Sequence, residues 1–145
     1  MKKITGKILL VDDEPYEELL LENALASIDR FAKIEYISNP KKALIHLKEN
    51  REEIFLIICD IDMPIMSGLE FKKEIEKDSY LREKSIPFVY ISNNASDKMV
   101  RDAYELNVQG YFKKLESIDA QGELLNKIIK YWASCLHPIM IAQKK

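Results

Sequence analysis

Short apolar runs alternate along this chain with segments in which apolar residues recur every three or four positions. The runs at 8–11, 54–59 and 88–91 have the length of strands buried on both faces, and shorter strands are predicted at 34–37 and 110–112. The helical spacing predicts inward positions at Leu20, Leu21, Ala24, Leu25 and Ile28, at Ala43, Leu44 and Leu47, at Leu69, Phe71 and Ile75, and further helices between 96 and 107 and between 124 and 132. Strands and helices therefore alternate throughout.

Cap and turn residues mark where the predicted helices begin. Pro15 and Pro40 suit the first turn of a helix, and the side-chain oxygens of Asn39 and Ser96 suit N-caps. Residues 72–84 are rich in charge, so we predict a solvated helix face followed by a loop there.

This alternation predicts an α/β fold, a doubly wound parallel sheet with helices on both faces. With 145 residues, of which 47% are hydrophobic, the chain fits one domain with a sizeable core. A last apolar stretch at 138–142 is predicted to pack on the final helix rather than to serve a partner.

Charge and composition exclude several classes of function. The net charge is −2 with acids and bases interspersed, so we expect no nucleic-acid partner and no binding to a membrane surface. The apolar runs are too short to span a bilayer, and no signal-peptide core follows the N-terminus, which predicts a cytoplasmic protein. Cys59 and Cys135 are expected to be reduced, and His46 and His137 lack ligand spacing. Proteins and small ions remain as partners.

Acidic residues directly follow two of the predicted strands. Asp12 and Asp13 end the first strand, and Asp60 and Asp62 follow the third. The carboxyl ends of parallel strands meet at one edge of the sheet, where α/β folds build their sites. Two unit charges about 4 Å apart repel by roughly 4 kcal/mol at an effective dielectric near 20, so such a cluster requires a cation. Hard oxygen ligands suit Mg²⁺ or Mn²⁺, although each aspartate taken singly is more typical of a loop or a helix cap.

Four motifs stand in order at the ends of the predicted strands. They are the pair Asp12-Asp13, the segment 60–68 that reads Asp-Ile-Asp-Met-Pro-Ile-Met-Ser-Gly, Ser92 after the fourth strand, and the segment 110–114 that reads Gly-Tyr-Phe-Lys-Lys. Together they resemble the receiver domain of response regulators in bacterial two-component systems, over residues 7–132. The resemblance implies a flavodoxin-like, five-stranded parallel sheet in the order 2-1-3-4-5. It also implies a stand-alone receiver over 4–132 and a C-terminal extension over 133–145 without a separate output domain.

The same resemblance implies a phosphoacceptor and a metal site. Asp60 would take a phosphoryl group from a sensor histidine kinase or a phosphotransfer protein, and the product would bind an unidentified downstream protein or form a homodimer. Mg²⁺ or Mn²⁺ would be held by Asp13, Asp60 and the backbone of Asp62, with Asp12 assisting. Such a regulator is not an enzyme, since it promotes only its own phosphorylation and dephosphorylation.

By resemblance, Lys114 and Ser92 would contact the phosphoryl oxygens from two sides, and Ser92 and Tyr111 would form the switch. Adjacent strand residues point to opposite faces, so Lys113 is predicted to be solvated. Leu115 stands where the family usually has a proline joined by a cis bond. A cis bond before leucine would cost about 3 kcal/mol, so we expect a trans bond and a reshaped loop.

Three functions compete for these residues. The first is a phosphorylatable stand-alone receiver. The second is a pseudo-receiver that keeps the fold without cycling phosphate, for which the departures at Asn93 and Leu115 argue. The third is an aspartate-nucleophile phosphohydrolase, because Asp60 and Asp62 followed by a serine and a lysine also resemble haloacid dehalogenase-like enzymes. In those enzymes the order of the motifs is reversed, and turnover of a simple phosphate ester would separate them from the other two classes.

Overall fold

The computed structural model describes residues 6–26, 28, 33–49 and 54–139. The described residues form, in chain order, β1 (Lys7–Val11), α1 (Tyr16–Ala26), β2 (Lys33–Ile37), α2 (Pro40–Glu49), β3 (Ile54–Cys59), α3 (Gly68–Lys77), α4 (Ser79–Lys84), β4 (Phe88–Ser92), α5 (Asp97–Glu105), β5 (Gly110–Lys113) and α6 (Ile118–Ser134). Among these helices, none combines the length and the apolar character that crossing a bilayer requires.

The strands form one parallel sheet in the order β2-β1-β3-β4-β5, which confirms the predicted fold. The chain moves outward from β1 in one direction to β2 and in the other to β3, so a crevice opens at the carboxyl ends of β1 and β3. Val11 pairs with Cys59 at the ends of these two strands. The acidic residues that follow each strand are therefore brought together.

Alternate residues of the sheet pack against two helical layers. Leu10 and Ile58 point to the layer formed by α1 and α6. Leu9 and Ile57 point to the opposite layer, which contains buried residues of α2, α3, α4 and α5. The buried strands and the amphipathic helices thus produce the two-sided core that the sequence predicts.

The charged segment 72–84 differs from its prediction as a solvated face and loop. The Lys72 side chain is only 7% exposed, and its ammonium lies 2.7 Å from Glu76 Oε1. Residues 79–84 form a helix, in which the N-cap Asp78 accepts a hydrogen bond from the Leu81 N–H and Leu81 is buried. The charge pattern did not predict the burial of Lys72, because the aliphatic part of a lysine side chain packs like an apolar residue.

The last helix begins at Ile118, well before the predicted start at 124. Ser117 caps it by accepting a hydrogen bond from the Ala120 N–H at 3.1 Å. The first turns were missed because residues 118–123 contain one large apolar residue, Ile118, and its side chain is exposed.

The start of the C-terminal extension packs beneath the sheet. The His137 ring stacks on Phe55 with 4.6 Å between centroids, and its Nε2 lies 2.6 Å from the Phe55 carbonyl oxygen. The Ile139 N–H donates to His137 Nδ1, and Ile139 is buried. His137, which received no role from the sequence, therefore anchors this segment to β3. Of the stretch 138–142 that was predicted to pack on the final helix, residues 140–142 lie outside the described residues.

Candidate functional site

Three aspartates converge at the carboxyl edge of the sheet. Carboxylate oxygens of Asp12, Asp13 and Asp60 lie within 4.8 Å of one another, as found within the described part of the chain. The Asp60 N–H donates to the Val11 carbonyl oxygen at 2.9 Å, which continues the pairing of β1 with β3 up to the site. Asp12 and Asp60 are buried, whereas Asp13 is exposed.

Lys114 enters this cluster from the end of β5. Its ammonium lies 2.9 Å from Asp12 Oδ2 and 3.6 Å from Asp60 Oδ2. Its N–H donates to the Ser92 carbonyl oxygen at 2.9 Å, so the backbone of Lys114 still pairs with β4. Lys113 is exposed, as predicted. The described peptide bonds are all trans, so the trans bond before Leu115 leaves the Lys114 ammonium inside the site.

Glu17, on the first turn of α1, is a site residue that the sequence analysis missed. Its Oε1 lies 3.6 Å from the Lys114 ammonium, and the residue is 9% exposed. One signal could have found it. Glu17 precedes Leu20 and Leu21 by three and four positions, so an acidic residue occupies the apolar stripe of α1.

Burial raises the pKa of the three carboxylic acids that lie around the Lys114 ammonium, Asp12, Asp60 and Glu17. Burial raises the pKa of Asp12 from 3.8 to about 6, against the opposing effects of the Glu14 N–H and the Lys114 ammonium. Burial also raises the pKa of Asp60 and of Glu17. Burial alone would lower the pKa of Lys114, but its contacts with Asp12, Asp60 and Glu17 outweigh burial and raise it. Since three carboxylates share one ammonium, that ammonium stays charged while the carboxylates retain protons more tightly.

These shifts predict how stability varies with pH in the absence of divalent metal. The folded protein holds a proton on Asp12 up to a pKa of about 6, whereas the unfolded chain releases it near 3.8. Stability from this group is thus fully present below 3.8 and is lost as the pH rises through about 6. We expect the free energy of unfolding to fall by up to ~3 kcal/mol across that window.

Urea unfolding at a series of pH values with a chelator measures this effect. The asparagine in Asp12→Asn does not titrate. The stability of this variant should therefore vary less than that of the wild type between roughly pH 4 and 7, the range that contains the ordinary and the raised pKa of Asp12. Stability that rises steadily through the same window in the wild type would show that the cluster is not buried as described.

The loop after β3 is folded back tightly onto Asp60. The Ile61 N–H donates to Asp60 Oδ1 at 2.8 Å, and the Gly68 N–H donates to the Ile61 carbonyl oxygen at 2.8 Å. Tyr90 donates its hydroxyl to the Gly68 carbonyl oxygen at 2.8 Å. A Cβ on Gly68 would lie 2.1 Å from the Asp60 carbonyl oxygen, so the approach requires glycine. The loop therefore fixes Oδ1 and leaves Oδ2 facing Lys114.

The two predicted switch residues lie on one side of the cluster. Ser92 is 1% exposed, and its Oγ accepts a hydrogen bond from the Asn94 N–H at 3.2 Å. Tyr111 is half-buried and donates its hydroxyl to the Asn94 carbonyl oxygen. Its ring lies 5.9 Å from the ring of Tyr90. Asn94 thus links Ser92 to Tyr111, a connection that the sequence analysis did not identify, while Asn93 is exposed.

The donor set fits a hard divalent cation. Asp13 and Asp60 offer carboxylate oxygens that are close enough to bind one ion together. The carboxylates here outnumber the single Lys114 ammonium, so the excess negative charge favours binding of a cation. Both Asp12 oxygens already have partners, Oδ1 with the Glu14 N–H and Oδ2 with Lys114. Asp12 therefore suits a supporting position. The side chain of Asp62 is exposed, which agrees with a contribution limited to its backbone.

Sequence comparisons connect this site to known proteins. A sequence profile described as response regulator receiver domain matches residues 8–128. The chain is 28% identical over 129 residues to the probable methanogenesis regulatory protein FilR2 of Methanothrix harundinacea, which covers 86% of this chain and 82% of that protein. It is 28% identical over 124 residues to the chemotaxis protein CheY-3 of Vibrio cholerae, with 86% and 92% covered.

Solved structures of response regulators share the fold of this chain. The phosphorylated cyanobacterial phytochrome response regulator RcpA superposes with a TM-score of 0.86 at 25% identity, over 93% of this chain and 99% of that one. The Mn²⁺-bound form of the response regulator Rcp1 superposes with a TM-score of 0.82 at 23% identity, over 91% and 97%. At that identity, the second likeness concerns the fold alone.

Proposed function

We propose a function from the premise that this chain belongs to the response regulator receiver domain family, whose profile matches residues 8–128. Receiver domains are signalling modules of two-component systems, and those of this kind interact with histidine kinases or phosphotransfer proteins. In this proposal Asp60 accepts a phosphoryl group from such a protein, and the phosphorylated chain then binds a downstream protein. The observation that carries the proposal is a buried carboxylate with one oxygen anchored and the other 3.6 Å from a lysine ammonium.

The site supports this transfer through the two oxygens of Asp60. Oδ1 is held by the Ile61 N–H, so Oδ2 is the oxygen that attacks phosphorus. A bond forms between Oδ2 and phosphorus as the bond from phosphorus to the donor's histidine nitrogen breaks, and the imidazole leaves. The Lys114 ammonium is placed to neutralise charge on the transferred oxygens.

The residues that would hold Mg²⁺ or Mn²⁺ are Asp13, Asp60 and the backbone of Asp62, with Asp12 in support. The ion would supply charge neutralisation on the phosphoryl oxygens opposite Lys114. Rcp1, a response regulator of the same fold, has a Mn²⁺-bound form, whereas the support for a divalent ion in this chain is its own group of three carboxylates.

In the proposed switch, the Ser92 hydroxyl moves to donate to a phosphoryl oxygen and draws with it Asn94, whose N–H the Ser92 oxygen accepts. The Asn94 carbonyl, which accepts from Tyr111, would move with it and release the tyrosine ring. The energy needed is modest, because turning a 1:99 equilibrium into 99:1 takes about 5.5 kcal/mol of differential binding. A few charge-assisted hydrogen bonds are of that order.

Backbone NMR spectra with Mg²⁺ alone and with Mg²⁺ plus beryllofluoride test metal binding and switching in turn. Mg²⁺ should shift signals around Asp13, and beryllofluoride, a phosphoryl mimic, should extend the shifts through Ser92 to Tyr111. Asp13→Ala should weaken Mg²⁺ binding at least about tenfold, since it removes a direct ligand. Asp62→Ala is the matched control, because the expected ligand there is the backbone.

Equal Mg²⁺ affinity in the wild type and Asp13→Ala would contradict the proposed metal site. Shifts confined to residues that touch the mimic would favour the pseudo-receiver, which keeps the fold without transmitting the signal. Steady turnover of a simple phosphate ester would favour the phosphohydrolase.

A further inference from the structure

We propose that Gln121 is a positioning residue for Lys114, acting through the backbone of Leu115. This inference rests on the proposed function, in which Lys114 contacts the transferred phosphoryl group. Gln121 Oε1 accepts a hydrogen bond from the Leu115 N–H at 2.8 Å. The bond joins the first turn of α6 to the residue that directly follows Lys114.

The connection from β5 to α6 has few other anchors near the lysine. The Lys114 N–H makes the last bond to the neighbouring strand, at 2.9 Å from the Ser92 carbonyl oxygen. The Leu115 side chain is 45% exposed, so it adds little packing. The next backbone donor is the Leu115 N–H, and the Gln121 side chain binds it. Lys114 is thus clamped between two consecutive backbone hydrogen bonds, one on each side.

The position of Gln121 favours a role in this contact rather than in packing. It is 2% exposed and precedes Leu125 by four positions, on the stripe of α6 that faces the core. An apolar side chain would be the ordinary occupant there. Among the described residues its Nε2 has no hydrogen-bond partner, so burying this amide carries a cost that an apolar residue would avoid. The Leu115 N–H needs an acceptor, which fixes the oxygen of the amide at that contact.

The clamp matters because the lysine side chain is long and flexible. Its ammonium must lie among Asp12, Asp60 and Glu17 at the distances that the site requires. A displacement of about 1 Å at the backbone can change a rate by up to roughly a hundredfold when a charge must meet a reacting group. The Gln121 contact therefore acts on the reaction without touching the reacting atoms.

Two substitutions separate the acceptor from the rest of the side chain. Gln121→Met keeps the length and removes the acceptor, whereas Gln121→Glu keeps an oxygen at the same place. With acetyl phosphate as donor and saturating Mg²⁺, Gln121→Met should slow phosphoryl uptake about tenfold, and Gln121→Glu should retain more of the rate. Mg²⁺ affinity should stay equal or rise in Gln121→Met, because a displaced ammonium competes less for the carboxylates.

Gln109→Met is the matched control at the other end of the sheet. Gln109 Oε1 accepts from the Phe88 N–H at 2.7 Å, so the substitution removes the same kind of bond far from Lys114. It should leave the rate of uptake unchanged even if the protein becomes less stable. A loss of rate equal to that of Gln121→Met would overturn the proposal, because it would show that stability alone governs the rate.

A double substitution tests the route through Lys114. Lys114→Met should slow uptake, and adding Gln121→Met should then have no further effect. Multiplied losses would show that Gln121 acts independently of the lysine and would overturn the inference. If the wild type takes up no phosphate from any donor, the proposed function fails, but the clamp is still measured by NMR. The signal of the buried Lys114 ammonium should be lost in Gln121→Met and retained in Gln109→Met, and an unchanged signal in both would overturn the clamp.

Discussion

Asp60→Asn is expected to abolish phosphoryl uptake from acetyl phosphate in the presence of Mg²⁺. An amide is not a nucleophile for phosphorus. Asp12 cannot replace the lost carboxylate, because both its oxygens are engaged, one by the Glu14 N–H and the other by Lys114 at 2.9 Å. Intact-mass measurement of the phosphorylated protein checks the result. The fold should survive, since the amide oxygen introduced by the substitution can still accept from the Ile61 N–H.

The stability of this variant provides a second readout. Burial raises the pKa of Asp60, which means that its ionised form is unfavourable in the folded protein. Asp60→Asn should therefore unfold at an equal or higher urea concentration than the wild type near neutral pH. Asp62→Asn is the control, because its side chain is exposed and uptake should persist. If Asp60→Asn still takes up the phosphoryl group and Asp62→Asn does not, the assignment of Asp60 as the acceptor is wrong.

Gly68→Ala is expected to destabilise the fold by about 3 kcal/mol. A Cβ there would meet the Asp60 carbonyl oxygen at 2.1 Å and the Ile61 Cα at 2.9 Å, and both are backbone atoms that cannot rotate away. Relief would require the loop after β3 to move outward. That movement would strain the bonds from Gly68 to Ile61 and from Tyr90 to Gly68. Urea unfolding measures the loss.

Gly122→Ala is the matched control on α6. Among the described residues, no heavy atom outside the adjoining residues and backbone of α6 lies within 4 Å of the Cβ that this substitution would add. Because alanine favours a helix interior by about 1 kcal/mol over glycine, this variant should be more stable than the wild type. Equal stability of Gly68→Ala and the wild type would mean that the loop does not approach Asp60 in solution as closely as the structure describes.

The strands and most helices were predictable because their signals are local. The run at 54–59 is apolar throughout, and every residue of β3 is buried. Ser96 was predicted to be an N-cap, and it accepts a hydrogen bond from the Met99 N–H. The element missed between 72 and 84 is the short helix α4, whose single buried apolar residue, Leu81, is too little to establish a period.

Part of the candidate site could also be predicted from the sequence. Acidic residues at the ends of two apolar runs must meet once the strands are parallel neighbours, and Asp12, Asp13 and Asp60 do so. Their roles in metal binding and phosphoryl transfer stay predictions, as do those of Ser92, Lys114 and Tyr111.

By itself, the sequence determined the alternating α/β architecture and the edge of the sheet that carries the carboxylates. The resemblance named Lys114 and Ser92, but only the tertiary structure added Glu17 and Gln121 to the surroundings of the lysine. Lys114 and Asp12 are 102 positions apart in the chain, and neither Glu17 nor Gln121 belongs to a recognised motif. Both occupy the apolar stripes of their helices. The sequence shows that a polar residue stands among apolar ones there, but it does not show which residue that side chain contacts. The partner is set by the packing of α1 and α6 on the sheet, because a hydrogen bond or an ion pair depends on distances that only the folded chain defines.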